Sequence, residues 1–161
     1  VDTGDHTLWF ERVFHFAEQE ILLSGKWRTL GFALPAAIAG KLCAPDRQSV
    51  AIVGDGGILQ TIAELNTAVN QQLALTVFVL KNQSYAMEQN KMLAEGLETL
   101  GAELANIDFV AVAGGLGAKA YRVESEAELE PVIEQALSEP CVTLVEIVCE
   151  AKTVPHTKIG K

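Results

Sequence analysis

Long hydrophobic runs are missing from this 161-residue chain, and no apolar stretch reaches the roughly 20 residues that a membrane span requires. Basic residues are scarce: Lys and Arg total 12 against 21 for Asp and Glu, a formal net charge of -9. No basic run or patch stands out, so nucleic acid and anionic membrane surfaces are excluded as expected partners. The acidic residues are scattered, a pattern that serves solubility rather than a site. Cysteine is limited to Cys43, Cys141 and Cys149, with neither a CxxC pair nor a Cys/His cluster. Three cannot all pair within the chain, so buried structural thiols in a reducing compartment, the cytoplasm, are expected. There is no GxGxxG, and no Walker lysine follows Gly54-Asp55-Gly56-Gly57, which argues against a dinucleotide fold and a triphosphatase. Neither an initiator Met nor a leader precedes Val1-Asp2-Thr3-Gly4, a start that suggests an internal point of a longer protein, hence an excised domain.

What is present is ordinary globular composition, 49% apolar and 20% charged, enough for one domain with a proper core. Short β-branched runs alternate with amphipathic stretches. Strands are expected at Ser49–Val53, Leu75–Lys81, Ala118–Val123 and Cys141–Val148, with a weaker one at Glu20–Leu23. The second and fourth are almost continuously apolar, as strands buried on both faces should be. Helices are expected at Leu8–Ala17, Gly31–Leu42, Ile58–Gln71, Phe109–Leu116 and Glu126–Leu137. Ser125 and Glu128 fit a capping box for the last, and Asp108 can cap the helix before it. This alternation implies an α/β fold, a parallel sheet with helices on both sides, in which ligands sit beyond the carboxyl ends of the strands.

Beyond the first expected strand lies Gly54-Asp55-Gly56-Gly57. Glycines there let the backbone turn sharply and approach a ligand, a geometry that suits a phosphate. Asp55 alone would repel that phosphate, a conflict that a bridging Mg²⁺ resolves. The next strand delivers Asn82, a neutral oxygen donor 27 positions after Asp55, to the same sheet edge. Taken singly, a GDGG turn or an Asn after a strand is a common turn element.

The order GDGG, helix, apolar strand, Asn82-Gln83-Ser84 resembles the thiamine diphosphate motif. Gly4-Asp5-His6-Thr7-Leu8-Trp9 is similar to the GQHQMW stretch of acetohydroxyacid synthases, and Arg28 to Ala37 to their GTMGFGLPAA. Phe109–Val123 and the helix holding Glu128 and Leu129 resemble the end of acetolactate synthases and pyruvate oxidases. The resemblance implies a three-layer αβα fold with a mostly parallel sheet of about six strands. Residues 1–150 would form the diphosphate- and Mg-binding domain and 151–161 a tail, a linker or a closing segment.

It further implies that Asp55, the Asn82 side chain and the Ser84 carbonyl hold Mg²⁺. Gly4, Asp5, His6, Gly56 and Gly57 would contact or line the diphosphate, although many synthases carry Gln where Asp5 stands. Leu30 would bend the cofactor, the Arg28 carbonyl would accept from its amino group, Met87 would pack on its pyrimidine, and Tyr85 would be a further cofactor-binding residue. Leu30 and Met87 also fit simple core packing.

Asn82 to Glu88 resembles the NDGYTIE of pyruvate decarboxylases, which aligns Glu88 with their protonating acid; Glu88 to Lys91 fits a solvated first helical turn equally well. Because Gly4 to Trp9 and Arg28 to Ala37 resemble the synthase and oxidase branch, acetolactate synthesis from pyruvate or another 2-oxo acid is the leading expectation, with oxidation, plain decarboxylation or a non-catalytic module as alternatives. A pyrimidine-binding domain, on the same or another chain of a homodimer or homotetramer, would complete the site. FAD, if present, would bind elsewhere in the full-length protein. His15 is expected on a helix face, His156 in the tail without an assignable role, and Glu64 as a structural hydrogen-bonding acid.

Overall fold

The computed structural model describes residues 1–151. Four parallel strands, β1 (Val50–Gly54), β2 (Thr76–Lys81), β3 (Lys119–Val123) and β4 (Thr143–Val148), form a sheet in the order β1-β2-β4-β3. β2 and β4 are central, which explains their almost unbroken apolar sequences: each must bury side chains on both faces. Val77, Val79 and Leu144 enter one core with Leu34 and Ile38 of α2 (Ala33–Cys43), Ile58, Leu65 and Phe109. Phe78 and Val145 enter the other, against Leu129, Val132, Ile133 and Ala136 of α7 (Glu126–Ser138). Helices thus cover both faces, and the expected α/β layering is what the chain adopts.

Local signals place several element starts well. Ser125 and Glu128 form the reciprocal capping box, with the Ser125 amide donating to Glu128 Oε2 at 3.0 Å. Asp108 accepts from the Ala111 amide at 3.0 Å and caps α6 (Phe109–Gly115). The four strands begin and end within two residues of their expected limits.

Other expectations need correction. Among the described residues the sheet has four strands rather than about six, and residues 20–23 form no strand. The long helix expected over Ile58–Gln71 is two short ones, α3 (Asp55–Ile58) and α4 (Glu64–Asn70), joined by turns. The first helix, α1 (Asp5–Val13), starts earlier than expected and stops before His15, which is exposed in irregular chain. Phe10, Phe14 and Phe16 cluster with ring centroids 4.5 to 6.1 Å apart, and this packing turns the chain out of the helix.

The cysteines are not the buried set expected: Cys43 and Cys141 are exposed, Cys149 is half-buried, and all three are free thiols. They sit at or beyond element ends, where periodicity says little about burial. Glu64 accepts a hydrogen bond from Thr67 Oγ1 at 2.7 Å, a local structural contact. His156 and nearly all of the expected tail lie outside the described residues. No helix among the described residues is long and apolar enough to cross a membrane.

Candidate cofactor site

Four stretches of chain converge beyond the carboxyl ends of β1 and β2. The first runs from Thr3 into α1, the second is the turn before α2, the third is the β1–α3 turn, and the fourth links β2 to α5 (Ala86–Ala94). Together with residues 149 and 150 after β4, they enclose a cavity of about 620 Å³. Gly4, Asp5, His6, Arg28, Leu30, Asp55, Gly56, Gly57, Asn82, Ser84, Tyr85, Met87 and Glu88 all line it. The structure therefore brings every site residue expected from the sequence to one wall or another of a single space. Leu30 and Met87 are partly exposed to it rather than sealed in a core.

Asp55 joins the two strand ends. Its Oδ2 accepts hydrogen bonds from the amides of Asn82 at 3.1 Å and Gln83 at 2.6 Å, and its Oδ1 from the Gly56 amide at 2.9 Å. Burial holds the carboxyl above its ordinary value, and the amide bonds offset only part of that rise. Gln83 adopts a left-handed conformation, φ 57°, which curls the loop so that the Ser84 amide donates to Asn82 Oδ1 at 3.1 Å. An ionised carboxylate offers about four lone-pair sites, so three amide bonds leave room for a cation. Because the Gly56 amide is taken by Asp55, it is not aimed outward as a free phosphate donor. Gly56 itself is required by close packing: a Cβ there would lie 2.4 Å from the Tyr85 ring.

The lining is rich in acids. Asp5, Asp55, Glu88 and Glu150 face a single arginine, Arg28. Such a wall repels a bare anion, but it accommodates one that arrives with a divalent cation. Among the described residues no three His, Cys, Asp or Glu side chains are grouped to hold a metal, so a cation here depends on carboxamide and carbonyl oxygens as well. Asp5 is pushed upward by burial, opposed by a hydrogen bond with Trp9. Glu88, in the first turn of α5, is exposed at the mouth.

His6 carries a polar atom that the protein itself leaves unpartnered. Among the described residues, its Nε2 is the one buried side-chain nitrogen or oxygen without a hydrogen-bond partner. The other ring nitrogen bonds to the Asp2 backbone, which favours the charged form, but burial dominates and lowers the pKa to about 4. A buried polar atom without a partner is rare, and this one belongs to a residue that lines the cavity.

It also has a consequence for stability. The unfolded chain binds a proton on this histidine near pH 6.5, whereas the folded one binds it only near pH 4. The protein should keep full stability from this source above pH 6.5 and lose it as pH falls toward 4. The loss is of order 3 kcal/mol once His6 is protonated in both states. Urea denaturation across this range should show that slope, and His6→Gln should flatten it.

Cys149 and Glu150, which follow β4, also line the cavity. Nothing in their residue types marks them, yet the rule that sites lie beyond strand ends points to them as it does to Asp55 and Asn82. Burial, reinforced by Asp55 and Asp5, pushes the Cys149 thiol up to about 11. It is therefore an inert wall rather than a nucleophile.

Residues 2–147 match the family described as thiamine pyrophosphate enzyme, C-terminal TPP binding domain. A putative thiamine pyrophosphate-containing protein of Bacillus subtilis, YdaP, is 35% identical over 148 residues, 91% of this chain and 26% of that protein. An acetolactate synthase of the same organism is 33% identical over 147 residues, again 91% and 26%. A 3D-(3,5/4)-trihydroxycyclohexane-1,2-dione hydrolase of Lacticaseibacillus casei is 33% identical over 135 residues, 80% of this chain and 20% of that protein. The chain spans between a fifth and about a quarter of the length of these curated relatives.

Proposed function

Because the chain belongs to the thiamine pyrophosphate enzymes, as their C-terminal cofactor-binding domain, we propose that its cavity holds the diphosphate end of thiamine diphosphate through Mg²⁺. The whole protein then acts on pyruvate or a related 2-oxo acid, most like an acetolactate synthase. One observation carries this reading: Asp55 and the Asn82 loop, the two halves of the expected cation site, are joined by hydrogen bonds at the cavity wall. When bound, the cofactor supplies the electron sink for cleaving the bond beside a 2-oxo group.

The chain's own residues bind, orient and exclude water. Asp55, the Asn82 side-chain oxygen and the Ser84 carbonyl hold the cation. Gly4, Asp5, His6, Gly56 and Gly57 surround the diphosphate. Leu30, Tyr85 and Met87 form the apolar bed of the rings, and the Arg28 carbonyl orients the amino group. A left-handed turn at Arg28, φ 48°, sets the direction of that carbonyl. The open, exposed mouth at Glu88 and Arg28 calls for a second, pyrimidine-binding domain, from the same chain or from another subunit of a homo-oligomer.

A product assay on the full-length protein with Mg²⁺, thiamine diphosphate and pyruvate tests this, with and without FAD and an electron acceptor. Acetolactate and CO₂ formed without an acceptor are expected; dependence on the acceptor would favour the oxidase alternative. Turnover of a cyclic 1,2-dione but of no 2-oxo acid would instead ally the protein with its hydrolase relative. Glu88 at the cavity favours a second reading, release of an aldehyde. If Glu88 delivers the proton, Glu88→Gln lowers acetaldehyde output by about 100-fold and spares acetolactate. An unchanged acetaldehyde yield makes Glu88 a solvated helix residue.

A further inference from the structure

Asp2 is 1% exposed, far from any surface role for a carboxylate. Its Oδ2 accepts from the Gly31 amide at 2.9 Å, and its Oδ1 from the amides of Thr3 at 2.8 Å and Phe32 at 3.3 Å. From the other side, a Cβ on Gly57 would lie 2.7 Å from the same Oδ2, so the glycine lets the carboxylate press against the β1–α3 turn. The Asp2 amide donates to Ile52 O of β1 at 2.8 Å, and its carbonyl accepts from Thr7 Oγ1. One residue therefore touches three of the stretches that line the cavity: the start of α1, the glycine turn and the Leu30-Gly31 turn.

The last of these depends on it most. Arg28 and Gly31 both have positive φ, 48° and 82°, and the segment between the 3₁₀ turn at Gly25–Trp27 and α2 belongs to no sheet. Its other ties include Thr29 N to Ser24 Oγ at 2.6 Å, a long bond from Thr61 Oγ1 to Gly31 O at 3.3 Å, and Ala36 N to Phe32 O at 3.1 Å where α2 begins.

We propose that Asp2 is a positioning residue that sets the height of Leu30 against the glycine turn, and with it the seat of the cofactor's rings. The inference rests on the cofactor reading above. A carboxylate is needed because two oxygens receive amides from different directions; an Asn would present its NH₂ to one of those N–H groups.

The test uses the full-length protein with Mg²⁺, titrated calorimetrically with thiamine diphosphate and, separately, with inorganic pyrophosphate. Asp2→Asn should weaken thiamine diphosphate by about ten-fold or more while pyrophosphate changes by less than about three-fold, because a small misplacement falls on the rings. Should Asp2→Asn fail to fold, Asp2→Glu keeps both oxygens but shifts them by one methylene and should show the same selectivity. Equal losses for both ligands, or none, overturn the positioning role. Failure of the unsubstituted protein to bind either ligand overturns the cofactor reading itself, a distinct result.

Discussion

Asp55→Ala in the full-length protein is expected to abolish Mg²⁺-dependent binding of thiamine diphosphate, with affinity falling by well over about 100-fold, beyond what losing an outer support of a metal site costs. Two losses combine. Asp55 is the one carboxylate of the proposed donor set, so without it only neutral oxygens remain for a cation that prefers charged ones. Its Oδ2 also draws in the Asn82 and Gln83 amides, and the alanine releases the loop that carries the remaining donors. Calorimetry with and without Mg²⁺, on a variant shown to unfold cooperatively, decides the matter. Binding that stays metal-dependent at near-normal affinity would place the cation elsewhere.

Glu146→Ala should produce the largest loss of stability of any single side-chain truncation near the site, about 3 to 5 kcal/mol. Glu146 is 1% exposed, and its Oε1 accepts from Lys81 Nζ and Arg122 Nε, each at 3.0 Å. Its Oε2 accepts from the Phe109 amide at 2.9 Å. Removing it strands the Lys81 ammonium, only 8% exposed, inside the protein with the Phe109 ring 5.9 Å away. The double change Lys81→Met with Glu146→Leu removes both charges and should recover most of the loss, since a buried pair costs more to break than to replace. Urea denaturation of the parent, of Glu146→Ala and of the double variant provides the numbers. A loss under about 1 kcal/mol for the single variant would mean that water reaches the stranded Lys81. Lys81 immediately precedes Asn82, so this hub also anchors the strand end from which the proposed cation loop departs.

Much of the fold was legible because its cues are local. The unbroken apolar runs at β2 and β4, the Ser125–Glu128 capping box and the Asp108 cap each depend on residues within a few positions of one another. The break after Ile58 was not legible, since the apolar spacing from Ile58 to Val69 suits one continuous helix. Where helix α1 ends was hidden for a similar reason: aromatic packing among Phe10, Phe14 and Phe16 overrides a favourable periodicity. The candidate site was read from glycine spacing and motif resemblance, and all of its residues do meet at one cavity. That Cys149 and Glu150 line the cavity was not legible, because they carry no motif and arrive there only through the position of β4.

By itself the sequence determined a parallel, helix-covered sheet and the two strand ends, at Asp55 and Asn82, where chemistry would gather. Hydrophobic period and turn chemistry act over a few residues, so they survive reading in one dimension. Tertiary structure alone decided that Asp2 would grip a turn 29 residues away and that Glu146 would receive Lys81 from 65 residues before it. Such partners are chosen by which faces the strand order brings together, and nothing in the spacing of either residue announces the other.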